Sequence, residues 1–266
     1  MSKTYQHIYL SPHYDDAALS CGGTIHQQTQ AGQAVLVITI CAAPPSANEP
    51  FSAFAQSLHE NWGNPVNVVS MRQAEDSAAL GILGADYQRL EFTDCIYRGQ
   101  PRQEVWYYNS NDDLFGQIHP ADLSLADQIG RAVTAQAQGS VGAVVHAPLA
   151  VGNHVDHQLT HAAAWELLQQ GWPVVFYEDY PYVDPSTAFG RANLDEILAH
   201  FEPAKLNPQQ QALSEANLQA KINSIQAYES QLGVLFGSKE EVNGRVRDYA
   251  LRVGAGKLAE RSWTLA

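Results

Sequence analysis

Two short segments of this chain carry the residue types of a hydrolytic metal site: His13-Tyr14-Asp15-Asp16 and His154-Val155-Asp156-His157. Two imidazoles and one carboxylate form the donor set of a catalytic zinc, which keeps a fourth position open for water. His13 and Asp16 stand three residues apart. Across a strand-to-helix turn that spacing lets both side chains converge on one point, and His157 can close the set. Asp15 then stands beside the metal without ligating it, available as a base toward metal-bound water. His154 can face the substrate, with Asp156 behind it to hold its ring. The same donors also serve non-haem iron oxygenases, and Fe2+ or Co2+ can replace zinc in such a site. Each segment alone has a plainer explanation. Asp15 and Asp16 suit the cap and first turn of any helix, and histidines three apart are common on helix surfaces. A site exists only if the fold brings the two segments together.

The surrounding pattern supplies a way to do so. A strand from His7 to Leu10 precedes the first segment, and a helix from about Asp15 to Gln30 follows it. A strand from Val141 to Ala147 precedes the second segment, and a helix from about His157 to Gln170 follows that. Between them lie a nearly continuous apolar run, Ala34 to Cys41, and a helix from Met71 to Leu83 that stops at Gly84. Next come a strand from Tyr87 to Phe92 and a helix from Ser124 to Gln138. An unbroken apolar run is the pattern of a strand buried on both faces. Further on, the pattern predicts a strand over Val174–Tyr177 and one helix over Pro208–Leu232, striped by Leu218, Ile222, Ile225 and Leu232. Strand–helix alternation predicts one α/β domain over residues 1–266, with a mainly parallel sheet covered on both faces. Such sheets bind ligands outside the carboxyl ends of their strands, where each segment falls. Helix N-termini there favour ionised Asp15 and Asp16. Long loops at about 42–65 and 93–120 are expected on the substrate side. They and the Tyr177–Tyr182 stretch are rich enough in aromatics to stack on sugar faces or to pack the loops down.

Composition narrows the partners. Fifteen Lys and Arg against 28 Asp and Glu give a net charge of −13. That surface repels phosphate backbones and anionic lipid, so neither nucleic acid nor a membrane is the expected partner. Three cysteines at no metal-like spacing, no signal-like start and no long apolar run point to a cytoplasmic protein. Gly22-Gly23 is not part of a phosphate loop and is read as a site of close helix–sheet packing. Cys21 is read as a small core residue.

These motifs resemble those of the PIG-L/LmbE-like zinc-dependent N-deacetylases. Ser11-Pro12-His13-Tyr14-Asp15-Asp16, with Cys21-Gly22-Gly23-Thr24, is similar to that family's His-Pro-Asp-Asp-Glu signature, and His154–His157 to its His-Pro-Asp-His motif. Arg72-Gln-Ala-Glu75, Asp94, Lys221 and Tyr228-Glu229-Ser230-Gln231 follow the family's order. The resemblance implies a Rossmann-like three-layer sandwich and a zinc-dependent hydrolase of N-acetyl groups on N-acetylglucosamine-type sugars or glycoconjugates. His13, Asp16 and His157 match the metal ligands, and Asp15 the general base. His154 matches the residue that stabilises the oxyanion together with the metal, with Asp156 behind it. Arg72 and Asp94 match positions that bind sugar hydroxyls. The chain departs from the pattern at Tyr14, Ala17 and Val155, where the family has Pro, Glu and Pro. Tyr14 is thereby a further candidate for contact with substrate. The missing glutamate at Ala17 motivates a second reading, a carbohydrate-binding or regulatory protein on a deacetylase scaffold. A homo-oligomer is compatible with either.

Overall fold

Alternation along the first strand decides the layers. In β1 (His7–Ser11), Ile8 and Leu10 point to one face of the sheet and Tyr9 to the other, as a period of two requires. The computed structural model describes residues 3–63, 67–137, 139–187, 190, 194–199 and 206–265. The last residues of the expected 42–65 loop and of the Ser124–Gln138 helix lie outside them.

After β1 the chain runs through α1 (Asp16–Gln30), β2 (Val35–Thr39), α2 (Ala53–Asn61), α3 (Val68–Leu83) and β3 (Asp86–Arg89). Two-residue strands β4 (Gly99–Gln100) and β5 (Val105–Trp106) form a small hairpin, followed by the single turn α4 (Asn111–Leu114). Then come α5 (Leu125–Gln136), β6 (Val144–Pro148), α6 (Val155–Gln169), β7 (Val174–Tyr177) and α7 (Leu194–Ala199). The remainder is β8 (Leu206–Ala212), α8 (Glu215–Gln226), α9 (Glu229–Phe236), α10 (Glu241–Val253) and β9 (Ala259–Leu265).

Seven strands form one sheet in the order β3-β2-β1-β6-β7-β9-β8. The first five are parallel, and β9 and β8 add antiparallel partners at one end. The expected mainly parallel α/β sheet is therefore present. Ile8, Leu10, Leu36, Ile38, Val145 and Ala147 share a buried cluster with Ile129 and Val133 of α5 and Leu159, Ala163 and Leu167 of α6. On the opposite face Tyr9, Val35 and Val37 pack on Ala17, Ala18 and Ile25 of α1 and on Ala79, Leu80 and Leu83 of α3. Among the described residues no helix is long and apolar enough to cross a membrane.

The expected Pro208–Leu232 helix is corrected. Leu218, Ile222 and Ile225 are buried in α8, but the Pro208-Gln-Gln-Gln-Ala212 stretch belongs to the edge strand β8. An edge strand tolerates Pro, whose missing N–H costs a ladder little there. The helix also breaks at Tyr228, whose hydroxyl donates to the Tyr14 carbonyl at 2.8 Å. The glycine pair in α1 serves packing as expected, but against different neighbours. A Cβ on Gly23 would fall 2.5 Å from Leu213 Cδ1, and one on Gly22 3.0 Å from Lys221 Cγ. Glu260 of β9 fastens the same stretch by accepting from the Gly23 and Thr24 amides and pairing with buried Lys221. Cys21 is buried nearby, and burial pushes its thiol well up.

His146, near the middle of β6, is stacked on Tyr9 at a 4.1 Å centroid distance. Burial, reinforced by His7, holds its pKa at about 3. The neutral form thus stabilises the fold fully above the unfolded value of about 6.5, and that stability drains away as pH falls toward 3. His146→Phe keeps the ring but removes the titration. The variant is expected to lose less stability than wild type between pH 6.5 and 4, by up to about 1.4 kcal/mol per pH unit. Denaturant midpoints measured across that range check it.

Candidate active site

The site is built where two parallel strands end. β1 and β6 are neighbours, with Tyr9 in register with His146. The strand order turns here, since β2 and β3 lie on one side of β1 and β6 and β7 on the other. A doubly wound sheet opens its ligand crevice at such a switch point. The turn after β1 is pinned locally. The Ser11 hydroxyl donates to the His13 carbonyl and accepts from the Ala17 amide, and the His13 amide donates to the Asp16 carboxylate at 2.7 Å. After β6, a short connection ends with His154 capping α6, its Nδ1 accepting the Asp156 backbone N–H at 3.2 Å.

Asp16 Oδ2 lies between two imidazoles, 3.2 Å from His13 Nδ1 and 3.3 Å from His157 Nε2. The far nitrogen of each ring is anchored, His13 Nε2 by Asp156 Oδ2 at 3.0 Å and His157 Nδ1 by Asp179 Oδ1 at 2.6 Å. His157 Nε2 is buried without a hydrogen-bond partner. The rings of His13, His154 and His157 offer nitrogens within 4.8 Å of one another. A divalent cation held here would draw on the converging nitrogens of His13 and His157, beside which Asp16 Oδ2 stands as an oxygen donor.

Charge at the site is arranged accordingly. Burial disfavours charge on His13 and His157, yet the carboxylates around them win: His13 is pushed well above the ordinary value and His157 to about 9. Burial also opposes ionisation of Asp16, but His157 and His13 hold its carboxyl well below the usual range. His154 goes the other way, its burial and the neighbouring His13 and His157 keeping it neutral. Because its Nδ1 accepts a backbone N–H, its proton sits on Nε2. Asp15 is buried, which raises its pKa, while Arg72 pulls it back.

The predicted site residues fare differently. His13, Asp15, Asp16, Arg72, Asp94 and His154 line one cleft of about 130 Å3, with His157 buried beneath. Asp156 needs correcting. Its carboxylate does not hold the His154 ring but takes Arg98 Nη2 at 2.5 Å, the Cys95 amide at 3.0 Å and His13 Nε2. Arg72 is turned onto Asp15, with Nη2 3.0 Å from Oδ1, and its guanidinium sits between the Trp62 and Tyr14 rings. Asp94 caps the turn at Ile96 and stays at the cleft wall. Tyr14 is corrected as a substrate contact: it is 3% exposed and its hydroxyl donates to the Ala42 carbonyl, away from the cleft. The aromatics of the 93–120 loop are divided between the two expected roles. Tyr108 is buried on Asp122 and Tyr107 stacks on His119, whereas Phe115 reaches the cleft.

Asp179 and Arg98 escaped the sequence reading. The one signal for Asp179 was an acidic pair, Glu178-Asp179, directly after a parallel strand beside β6. Asp179 orients the His157 ring and fixes its tautomer. Asp179→Asn is expected to weaken metal binding about 10- to 100-fold, as read by competition against a chromogenic chelator.

A family model described as GlcNAc-PI de-N-acetylase, PIG-L, matches residues 8–168. The chain belongs to the PIG-L family. Among curated proteins it is 31% identical over 191 residues to a 2'-N-acetylparomamine deacetylase of Niallia circulans, covering 66% of each chain. A second protein of that description, from Streptomyces fradiae, is 33% identical over 181 residues, covering 66% of this chain and 57% of the other. The chain thus spans somewhat less than two thirds of these relatives' own length. Among solved structures, a deacetylase of the teicoplanin biosynthesis pathway superposes with a TM-score of 0.81 at 27% identity, over 97% of each chain. The zinc-inhibited form of a teicoplanin deacetylase gives 0.80 at 27% identity, again over 97% of each.

Proposed function

We propose that this protein is a metal-dependent N-deacetylase acting on an N-acetylated amino sugar, and that His13 Nδ1, Asp16 and His157 Nε2 hold the metal. The observation that carries the proposal is the convergence of His13 Nδ1 and His157 Nε2 on Asp16 Oδ2, at 3.2 and 3.3 Å. Named relatives and structural neighbours that are deacetylases support it. A bound ion of this donor set supplies Lewis acidity and makes water a nucleophile near neutral pH.

The chain's own residues do the rest. Asp15 is the base. Its carboxylate lies in the cleft, its proton affinity is raised by burial, and Arg72 fixes its orientation through Oδ1. A carboxylate with raised pKa is better matched to proton transfer at neutral pH. It takes the proton of the attacking water and delivers it to the departing amine, releasing acetate. His154 stays neutral and presents Nε2–H to the developing oxyanion. Asp156, held by Arg98, keeps His13 turned so that Nδ1 faces Asp16. Arg72 and Asp94, both on the cleft wall, offer polar contacts to the sugar. Zinc is the proposed ion, with Fe2+ and Co2+ as alternatives for the same donors.

The test is acetate release from a panel of N-acetylated amino sugars by protein of known metal content. Activity lost to a chelator and restored by one equivalent of metal is the expected result. Because a neighbour is described in a zinc-inhibited form, zinc is titrated from below one equivalent into excess. A folded, metal-loaded protein that binds a panel sugar and releases no acetate would instead favour the binding-protein reading that Ala17 motivates.

A further inference from the structure

The floor and the walls of the active-site cleft differ in chemistry. Of its ionisable groups, His13, Asp15, Asp16, Arg72 and His154 are buried, and Asp94 is half-buried at the wall. Half-buried apolar residues surround them: Leu58 and Trp62 at the end of α2, Phe115 after α4, Tyr182 after β7, and Val234 and Leu235 of α9. These elements are far apart in sequence, so the surface is assembled by the fold rather than by one amphipathic helix. The aromatic members stand directly on the polar centre. Trp62 lies 5.2 Å from the Arg72 guanidinium that holds Asp15. The Phe115 ring meets His154 edge-on at 5.5 Å, and Tyr182 meets His157 in the same way at 5.5 Å.

A polar amino sugar alone would leave this collar wet. Deacetylation needs only the acetamide and its ring at the floor, which leaves the collar to whatever else the sugar carries. A site for a polycationic sugar would carry carboxylates at that height, whereas among the described residues the carboxylates lining the cleft are Asp15, Asp16 and Asp94, and the first two are buried. Resting on the deacetylase reading above, we propose that the collar selects an N-acetylated amino sugar glycosidically linked to an apolar, ring-bearing aglycone. Burial of one aromatic ring against such walls is worth about one to two orders of magnitude in kcat/KM, and it is expressed mainly in KM because the aglycone does not react.

The experiment compares the methyl and 4-nitrophenyl β-glycosides of N-acetylglucosamine with 2'-N-acetylparomamine, using metal-loaded enzyme. The expected order puts the nitrophenyl glycoside about 10- to 100-fold above the methyl glycoside through KM. Trp62→Ala and Leu235→Ser should each shrink that ratio several-fold, with folding checked by thermal melts. Equal kcat/KM for the two glycosides, or preference for the paromamine derivative, overturns the collar and leaves the deacetylase reading standing. If no compound releases acetate, calorimetric binding of the two glycosides decides. Tighter binding of the nitrophenyl compound supports the collar while the deacetylase reading falls, and equal binding overturns the collar as well.

Discussion

Asp15→Asn is expected to lower kcat for acetate release by about 10²- to 10⁴-fold while leaving metal content at the wild-type level. The substitution exchanges one carboxylate oxygen for an amide nitrogen. The amide oxygen that remains still accepts the Arg72 N–H that now reaches Asp15 Oδ1 at 3.0 Å, so the α1 N-terminus keeps its geometry. What disappears is a group able to hold a proton between attack and amine departure. Asp16, next in sequence, cannot substitute for it. His157 and His13 hold its carboxyl well below the usual range, and a carboxylate so reluctant to take a proton is a poor base. Metal content by atomic absorption and kcat by acetate detection test the assignment together. A metal-replete Asp15→Asn enzyme with wild-type turnover would refute it.

His157→Ala is expected to abolish stoichiometric metal binding and to lower kcat/KM by at least about 10³-fold, since Lewis-acid stabilisation is worth several kcal/mol. The variant removes the Nε2 atom that has no hydrogen-bond partner, and it strands Asp179, whose Oδ1 lies 2.6 Å from His157 Nδ1. A thermal melt separates the two consequences. Metal at 100 times its Kd stabilises the wild type by about 2.7 kcal/mol, a shift of about 5–10 °C for a domain of this size. The alanine variant should melt at one temperature with or without metal. If its melting temperature still rises with metal to the wild-type extent, His157 is not a ligand.

How the site residues could be read from sequence follows from how far their partners lie along the chain. His13, Asp15 and Asp16 sit within one turn, as do His154 and His157, so residue types and local spacing were enough to single them out. The strand–helix alternation then placed both groups at strand ends, and β1–β6 pairing bears that out. The orienting groups were illegible for a physical reason. Asp179 meets His157 across 22 residues and Arg98 meets Asp156 across 58, and no local pattern records contacts at that range. The same distance effect misdirected Tyr14 and Asp156. Tyr14 stands between His13 and Asp15 in sequence, but its hydroxyl is drawn to the Ala42 carbonyl just beyond β2. Asp156 stands next but one to His154, yet Arg98 and the Cys95 amide claim its carboxylate. At the C-terminal end, Gln-rich Pro208–Ala212 reads as helix by propensity. Pairing along β9, from Leu206–Leu265 to Ala212–Ala259, overrides that propensity.

The β1–β6 pairing also dictates when the site can come into being during folding. His13 and the Asp156 carboxylate that orients it are separated by 143 residues. Closing a loop of that length costs chain entropy before any contact repays it, so contacts of this kind form late. A nascent chain that has emerged only through β3 can already pair β1, β2 and β3, since their register needs nothing downstream. It nonetheless offers an incoming ion only His13 and Asp16. On the proposed ligand set, tight metal capture waits for residues 144–157, and metal uptake during refolding would then be a clock for the completion of the central sheet.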